Sequence, residues 1–500
     1  MIKTSLISTI YSFVLLIASI QYVHANDLDL PDLGTPSDSS LSPVKEKEIR
    51  DTIINQIYQY DLVMTDPIIA DYIEQLGFRL ASNSENPKAP FDFYMVNDDL
   101  VNASTYPGGL IIIYSGLFLK SDTESELAGV VAHEIAHATQ RHLSRFYANS
   151  KKNILPTIIG LVGAAVAAQA SDSPDAPVAV LAASSAIAQQ NLINFTRAHE
   201  YEADRVGINT LKKSNFNPLG MAGFFEKLMR EKPIDERYQL PEYLRTHPLS
   251  INRVSEAKNR AQSDEPIEFE ESELYPFVKE RIRLFAKNSK LDKATYYRKK
   301  YQDKSVKKIT NAEMYGYALA LYMAHEYESA LKVLSQVQKT YRTSLIISIL
   351  EANILSGLNW NKSYERFSQL LRFYPESPIV IEPFIHMLQK SNNIKYKTQA
   401  RDLARNLINL HPDNANYYGL LAISNQNIGK SIEANEALAM KQHIIHNNYK
   451  AVRILKNILK SDLDYYQRAR IESKITEYEN LITDRERNFE ESQELPKSRR

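Results

Sequence analysis

The sequence of 500 residues contains no cysteine. This absence excludes disulfide bonds, thiolate metal ligands, a cysteine-linked lipid anchor and a cysteine nucleophile. Any metal ion must therefore be held by histidine and carboxylate side chains. The chain also lacks an excess of charge of either sign, because 60 Lys and Arg residues balance 60 Asp and Glu residues. This balance gives no reason to expect nucleic acid as a partner.

Long apolar runs are scarce as well. The composition, 44% hydrophobic and 24% charged, is typical of a globular protein and argues against a multi-span membrane protein. An apolar run at residues 7–20 follows Lys3 and precedes Val23-His24-Ala25. It is short for a spanning helix and has small residues where a signal peptidase cleaves, so residues 1–25 are predicted to be a cleaved signal peptide. The alternative is an uncleaved N-terminal anchor.

Two further apolar stretches, at residues 154–170 and 176–188, are rich in alanine and are separated by Ser, Asp and Pro. Each is too short or too interrupted for a secure membrane span. We predict buried or lid-like helices here. Peripheral contact with a membrane surface and true insertion are the alternatives.

Secondary-structure patterns place helices and a small sheet before the main motif. Residues 43–88 carry Ile and Leu at helical spacing and predict two helices, the second starting at Asp66-Pro67. Apolar runs at 91–96 and 110–114 predict strands. A capping box at Ser121-Asp122-Thr123-Glu124 predicts the start of another helix.

The chemistry is concentrated in His133-Glu134-Ile135-Ala136-His137. On a helix, His133 and His137 lie one turn apart on one face, so both imidazoles can bind a single zinc ion. Glu134 then lies beside the water that the zinc activates and can act as a general base. The apolar flanks of the motif fit a buried helix better than a surface helix with solvated histidines.

Zinc held by two histidines needs a third protein ligand, and without cysteine a Glu is the natural candidate. Such residues occur in His199-Glu200-Tyr201-Glu202-Ala203-Asp204, within a second predicted helix. Glu200 and Asp204 share a helix face, so we predict Glu200 as the ligand and Asp204 as the group that orients a ligand imidazole. His199 and Glu202 are the alternatives.

From about Thr310 onward the sequence indicates helices with few strands. Aligning four positions in this region, Ala330, Tyr364, Ala400 and Ala434, gives spacings of 34, 36 and 34 residues. This period is typical of the tetratricopeptide repeat, whose paired helices stack into a curved scaffold with an extended binding surface. An unrelated helical bundle is the alternative.

Taken together, the two metal-binding motifs resemble the zinc peptidase family of HtpX and the CAAX prenyl proteases. In that family the third ligand is the first Glu of Glu-x-x-Ala-Asp, which corresponds to Glu200. Further matches flank the motifs over about residues 43–262, namely Asn102-Ala103, Pro107-Gly108-Gly109, Arg245-Thr246-His247-Pro248 and Arg253. Ser104-Thr105-Tyr106 departs from the more apolar residues of the family, so the preference of the substrate pocket stays open.

The resemblance, with the signal peptide and the repeats, implies a periplasmic enzyme with one zinc ion per chain. It implies clients that are unfolded or misassembled outer-membrane proteins, and the β-barrel assembly machinery as a partner of the repeat domain. It also implies that Arg253 supports the site and that His247 lies at the cleft, as an oxyanion donor or a displaceable fourth zinc ligand. From the residues alone, His247 also fits an ordinary helix start before Pro248.

Two other features complete the predicted site. Residues 101–104, which include Asn102, Ala103 and Ser104, are predicted to form an edge strand to which a substrate adds as an extra strand through backbone hydrogen bonds. An ordinary loop is the alternative. The remaining histidines, His142 among them, lack a partner at ligand spacing and are predicted to be structural or solvated.

The predicted fold is an α+β zinc metallopeptidase domain with a small β-sheet, followed by an all-α tetratricopeptide-repeat superhelix. The peptidase domain is assigned to 43–265 after a flexible lead-in at 26–42. A helical linker at 266–309 precedes the repeat domain at 310–485 and a charged tail at 486–500. The alternative function is a repeat-domain chaperone or assembly factor whose protease site is mostly latent.

Overall fold

The computed structural model describes residues 41–149, 197–230, 242–262, 269, 271–287, 292–302, 309–341, 343–482 and 487. The predicted signal peptide, most of the lead-in, the apolar stretches within 154–188 and all but Arg487 of the predicted tail lie outside these residues. None of the described helices is both long enough and apolar enough to cross a membrane.

The chain is mostly helical, with three short strands in its described N-terminal half. The strands are β1 (Asp92–Val96), β2 (Ala103–Tyr106) and β3 (Leu110–Tyr114). The described helices before residue 310 are α1 (Pro43–Gln59), α2 (Pro67–Ala81), α3 (Ser115–Lys120), α4 (Glu124–Thr139), α5 (His142–Asn149), α6 (Arg197–Lys213), α7 (Leu219–Arg230), α8 (Glu242–Thr246), α9 (Ile251–Ala261), α10 (Tyr275–Phe285) and α11 (Lys293–Gln302).

The three strands form one sheet in the order β1-β3-β2. β1 pairs in parallel with β3, and β2 pairs antiparallel with β3, with Ala103 opposite Ile113. The link from β2 to β3 requires glycine, because Gly109 has a φ of 76° and a Cβ there would lie 1.8 Å from the Pro90 carbonyl oxygen. The two strands predicted at 91–96 and 110–114 are confirmed, and β2 is an edge strand.

Helices α1 and α2 begin where the sequence predicts helix starts. Ser42 caps α1 by accepting a hydrogen bond from the Lys45 backbone N–H, and Asp66 caps α2 by accepting one from Ile69 N–H. The buried isoleucines of α1 pack with Leu110 of β3 in one apolar cluster. Two helices before the sheet are therefore confirmed.

Helix α4 begins later than the predicted capping box. Its N-cap is Thr123, whose hydroxyl accepts from Glu126 N–H, while Glu126 Oε2 accepts from Asp122 N–H at 2.7 Å. The prediction that Ser121 caps this helix is wrong, because the Ser121 hydroxyl donates to Leu117 O at the end of α3. Helix α4 packs against β2, α6 and α7.

From residue 309 the described chain consists of helices in consecutive pairs. They are α12 (Asn311–Met323), α13 (Tyr327–Gln338), α14 (Leu345–Leu358), α15 (Trp360–Phe373), α16 (Pro378–Gln389), α17 (Ile394–Leu410), α18 (Ala415–Asn427), α19 (Ser431–Ile444), α20 (Asn448–Ile458) and α21 (Tyr465–Glu479). The first helices of the described pairs start at residues 311, 345, 378, 415 and 448, which are 34, 33, 37 and 33 residues apart. The four aligned positions of the sequence repeat all lie in second helices of these pairs.

The helical region packs back on the sheet-containing half. Arg281 of α10 forms a bidentate ion pair with Asp66, 2.6 Å for each N···O contact, and donates to the Tyr315 hydroxyl of α12 at 2.9 Å. Farther along the helical region, the Asn55 side chain of α1 donates to the carbonyl oxygen of Ile445, which lies between α19 and α20, at 3.0 Å. Helices α10 and α11 lie within the segment predicted as a linker.

Candidate active site

Helix α4 holds the two histidines of the motif with their side chains close together. Its i,i+4 spacing puts His133 and His137 on one face, and their Nε2 atoms lie 3.0 Å apart. His133 is 0% exposed and Glu134 is 1% exposed. The predicted helical setting of the motif is therefore confirmed.

Helix α6 brings a carboxylate to the same point. Glu200 Oε2 lies 3.4 Å from His133 Nε2, and Glu200 Oε1 lies 3.4 Å from His137 Nε2. Glu200 is 2% exposed. The structure places His199 and Glu202, the alternative third ligands, outside this group.

A fourth side chain, and a third nitrogen, comes from the residue that follows α8. His247 Nδ1 lies 3.3 Å from His133 Nε2 and 3.2 Å from each oxygen of Glu200. Its ring stacks on Tyr243 with centroids 4.7 Å apart and planes 24° from parallel. His247 therefore lies inside the ligand group. Its position at a helix start before Pro248, the alternative from the residues alone, does not account for these contacts.

These four side chains fit a tetrahedral metal ion. Zinc bonds to nitrogen and oxygen of about 2.0–2.1 Å imply ligand atoms about 3.3 Å apart. The contacts among the four side chains span 3.0–3.4 Å. The buried Oε1 of Glu134 makes no hydrogen bond among the described residues, and His247 Nε2 lies 3.4 Å from it, so Oε1 can accept a proton from water. The donor set, nitrogen and oxygen without sulfur, suits zinc.

Asp204 and Arg253 support the group from the side. Asp204 Oδ1 lies 3.0 Å from His133 Nδ1, in contact but outside the geometry of a linear hydrogen bond. Arg253 donates to both oxygens of Asp204 at 2.8 Å, and its Nη1 lies 2.8 Å from Glu200 Oε2. Arg253 thus fixes the two carboxylates of α6 that face α4.

The electrostatics of the group favour a cation at its centre. Burial lowers the pKa of His133, but Asp204 and Glu200 outweigh burial and raise it to about 9. Burial also lowers the pKa of His137, to about 3, because that ring lacks a second carboxylate and faces His133. Burial raises the pKa of Glu200, yet the charge and hydrogen bonds of His247, His133 and His137 outweigh it and hold that pKa well below its usual range. The buried carboxylates therefore favour positive charge at this point, which a metal ion can supply.

The predicted substrate-binding residues lie at the start of the edge strand. Ala103 and Ser104 belong to β2, and Asn102 precedes it, with its carbonyl accepting from Tyr114 N–H at 3.1 Å. The strand begins two residues later than predicted. The backbone N–H of Tyr243 donates to Val101 O at 3.2 Å, so the segment carrying His247 is tied to the lead-in of this strand.

Three residues of the site were missed by sequence reasoning. Thr105 contacts Glu134, His142 contacts His137, and Tyr243 stacks on His247. The first contact joins a strand to a helix, which no local spacing reveals. His142 was predicted to be structural or solvated, and it is 1% exposed, so solvation is excluded.

The fold and the site together define a metallopeptidase. The model of peptidase family M48 matches residues 67–261. The beta-barrel assembly-enhancing protease of Escherichia coli O157:H7 is 35% identical over 334 residues, which cover 67% of each chain. The protein of the same name from Yersinia pestis is 37% identical over 312 residues, covering 62% of this chain and 63% of its own.

A more distant relative is the mitochondrial metalloendopeptidase OMA1 of Arabidopsis thaliana, 28% identical over 248 residues and covering 47% of each chain. The chain belongs to peptidase family M48 and is a metallopeptidase that resembles the beta-barrel assembly-enhancing proteases.

Proposed function

We propose that this chain is a periplasmic zinc endopeptidase that hydrolyses peptide bonds of unfolded or stalled outer-membrane proteins and assists their assembly. The observation that carries the proposal is the convergence of His133, His137, Glu200 and His247, with ligand atoms all within 4.8 Å of one another. The names of the relatives, beta-barrel assembly-enhancing proteases, support the choice of clients.

His133, His137 and Glu200 hold one zinc ion per chain in this proposal. The ion, when bound, supplies the Lewis acidity that polarises the scissile carbonyl and makes a water molecule acidic. Glu134 accepts a proton from that water as the hydroxyl adds to the carbonyl carbon, and it returns the proton to the amine as the C–N bond breaks. Burial raises the pKa of Glu134, which suits a base that must also act as an acid.

The substrate binds as an extra strand on the outer edge of β2, which pairs with no other strand among the described residues. This mode depends on backbone hydrogen bonds and accepts varied sequences, provided that the client segment is extended. Ala103 and Ser104 lie on that edge, and Asn102 sets its start. Folded clients cannot offer such a segment, so selectivity for unfolded chains follows.

His247 is a latch on the site. Its Nδ1 occupies the fourth corner of the ligand group, where the catalytic water must bind, so His247 has to move before hydrolysis. The stacking on Tyr243 and the link from Tyr243 N–H to Val101 O join this movement to the substrate strand. Binding of a client at β2 can therefore release the latch.

The helix pairs from residue 311 form a tetratricopeptide-repeat scaffold that presents clients and contacts the β-barrel assembly machinery. Their spacing of 33 to 37 residues supports this assignment. The peptidase domain is assigned to 43–265 and the repeat domain to 310–485. A signal peptide at residues 1–25 and peripheral membrane contact by residues 154–188 complete the proposal.

The test is cleavage of an unfolded outer-membrane protein by the purified chain, with and without a zinc chelator. Cleavage that stops with chelator and returns with zinc is expected. A Glu134→Gln variant, immobilised in envelope extracts, should retain stalled clients that the active enzyme releases as fragments.

A second function is favoured by the latched geometry of His247: a repeat-domain chaperone or assembly factor whose protease site is mostly latent. The same assay separates the two. Retained client binding with no chelator-sensitive cleavage of any unfolded client supports the chaperone.

A further inference from the structure

A second histidine lies directly behind the zinc-binding face of His137. His142, the first residue of α5, has its Nδ1 2.8 Å from His137 Nδ1 and its Nε2 3.1 Å from Glu202 Oε2. It is 1% exposed. Both ring nitrogens of His142 are therefore engaged, one with a metal-ligand imidazole and the other with a carboxylate.

The hydrogen-bond partners determine which ring nitrogens of His142 and His137 carry protons. A carboxylate accepts but does not donate, so His142 Nε2 carries the proton and donates to Glu202. The Nδ1 of a neutral imidazole protonated at Nε2 is an acceptor, and His137 Nδ1 must then donate to it. His137 is left with its lone pair on Nε2, the atom that lies 3.0 Å from His133 Nε2 and 3.4 Å from Glu200 Oε1.

Glu202 is held in place for this purpose. Arg145, three residues beyond His142 on α5, has its Nη1 3.1 Å from the same Glu202 oxygen. Two side chains from the first turn of α5, His142 and Arg145, thus contact the Glu202 carboxylate of α6. Glu202 lies on a different side of α6 from Glu200 and Asp204, so it reaches the ligand group only through His142.

Each of the two ligand histidines of α4 is then linked to a carboxylate of α6 through its remote ring nitrogen. The remote nitrogen of His133 contacts Asp204 directly, and the remote nitrogen of His137 contacts Glu202 through His142. Both carboxylates come from α6, which also supplies Glu200. Ligand imidazoles whose second nitrogen is tied to a carboxylate bind metal more tightly, because ring orientation and tautomer are fixed in advance.

We propose that His142 is a positioning residue for the metal site, which acts with Glu202 and Arg145 to hold His137 in the tautomer and orientation that bind a divalent cation through Nε2. The inference rests on the proposed zinc site. Glu202 thereby supports a metal ligand through His142, although it is not itself a metal ligand.

The test is the zinc dissociation constant of the full chain, measured by competition with a chromophoric chelator. His142→Phe keeps an aromatic ring of similar shape and removes both nitrogens, and we expect affinity to fall about 10- to 100-fold. His142→Asn restores an acceptor near the Nδ1 position and should recover part of the loss. Glu202→Gln, which removes the charge at the far end, should weaken binding less than His142→Phe.

The matched control is His199→Phe, because the His199 ring packs against the His142 ring, with centroids 4.5 Å apart and planes tilted by 33°, and lies outside the ligand group. Its zinc affinity should stay within about 2-fold of wild type. Circular dichroism and the Tm of the zinc-free proteins check that each variant folds. Equal affinities of wild type and His142→Phe, or equal losses in His142→Phe and His199→Phe, overturn the inference. A wild-type chain that binds no zinc overturns the proposed function instead.

Discussion

The Thr105 hydroxyl of β2 lies 2.9 Å from Glu134 Oε2 and 2.7 Å from the Glu134 carbonyl oxygen. Both oxygens are acceptors, so the single hydroxyl proton is shared between them. This contact joins the edge strand to the proposed general base, and the other oxygen of Glu134 lies 3.4 Å from His247 Nε2 without forming a hydrogen bond. Thr105 therefore fixes the rotation of the Glu134 carboxylate.

Replacing Thr105 by Val removes this hydroxyl without changing the shape of the side chain. We expect kcat on an unfolded client to fall about 10- to 100-fold, because a misplaced catalytic group loses alignment with the reacting atoms. KM should change little, since substrate binds through the backbone of β2. Thr105→Ser keeps the hydroxyl and should retain most of kcat, and a Val variant with unchanged kcat contradicts the role.

The assignment of the third ligand predicts different metal contents for two variants of α6. Glu200→Gln should lose bound zinc on gel filtration, as should His133→Ala and His137→Ala, because each removes a ligand atom. Glu202→Gln should retain zinc under the same conditions, since its carboxylate acts only through His142. Zinc is counted by elemental analysis of the folded proteins. A Glu202 variant without zinc beside a zinc-loaded Glu200 variant reverses the assignment.

The junction of the two halves carries a buried acid that makes stability depend on pH. Glu382 of α16 is 8% exposed, and burial with the charge of Asp66 raises the pKa of its carboxyl to about 8. His386 Nε2 lies 3.9 Å away, and burial lowers the pKa of that imidazole, so it offers no charge at neutral pH. The native state thus keeps a proton that the unfolded chain releases near its ordinary pKa.

Between those two pKa values the native state binds more protons than the unfolded state, so the free energy of unfolding falls as pH rises. Glu382→Gln is neutral throughout and removes this slope. The difference in Tm between the variant and wild type should be larger at about pH 8.5 than at about pH 5.5. At the higher pH the variant's free energy of unfolding should exceed that of wild type by on the order of a few kcal/mol. A difference that does not change with pH, or that shrinks as pH rises, contradicts the assigned ionisation.

The residues of the candidate metal site could be predicted from the sequence because their signals are local. His133, Glu134 and His137 are set by helical spacing, and the pairing of Glu200 with Asp204 by the face of a second helix. The supports were not predictable in this way, because Thr105 and His142 act across elements that meet only in the folded chain. The start of α4 was misplaced because Ser121 closes the preceding helix instead of capping the next one.

The two roles proposed for His247 predict opposite changes in activity for His247→Ala. If His247 holds the fourth corner at rest, His247→Ala frees that position, and cleavage of unfolded clients or of the chain itself should increase. If His247 instead stabilises the oxyanion, kcat should fall by about 10²–10³. Initial rates of both proteins on one unfolded client, at equal zinc content, decide between them. A His247→Ala protein that is zinc-loaded but inactive would show that His247 is not a latch.

In the proposed function, Glu134 is the base of a zinc site held by His133, His137 and Glu200. The most direct measurement is zinc content and cleavage of an unfolded client by wild type and Glu134→Gln, each with chelator and after zinc is restored. We expect one zinc ion per chain in both proteins, and cleavage by wild type alone that chelator abolishes and zinc restores. Cleavage that persists in chelator, or an active Glu134→Gln variant, would contradict it.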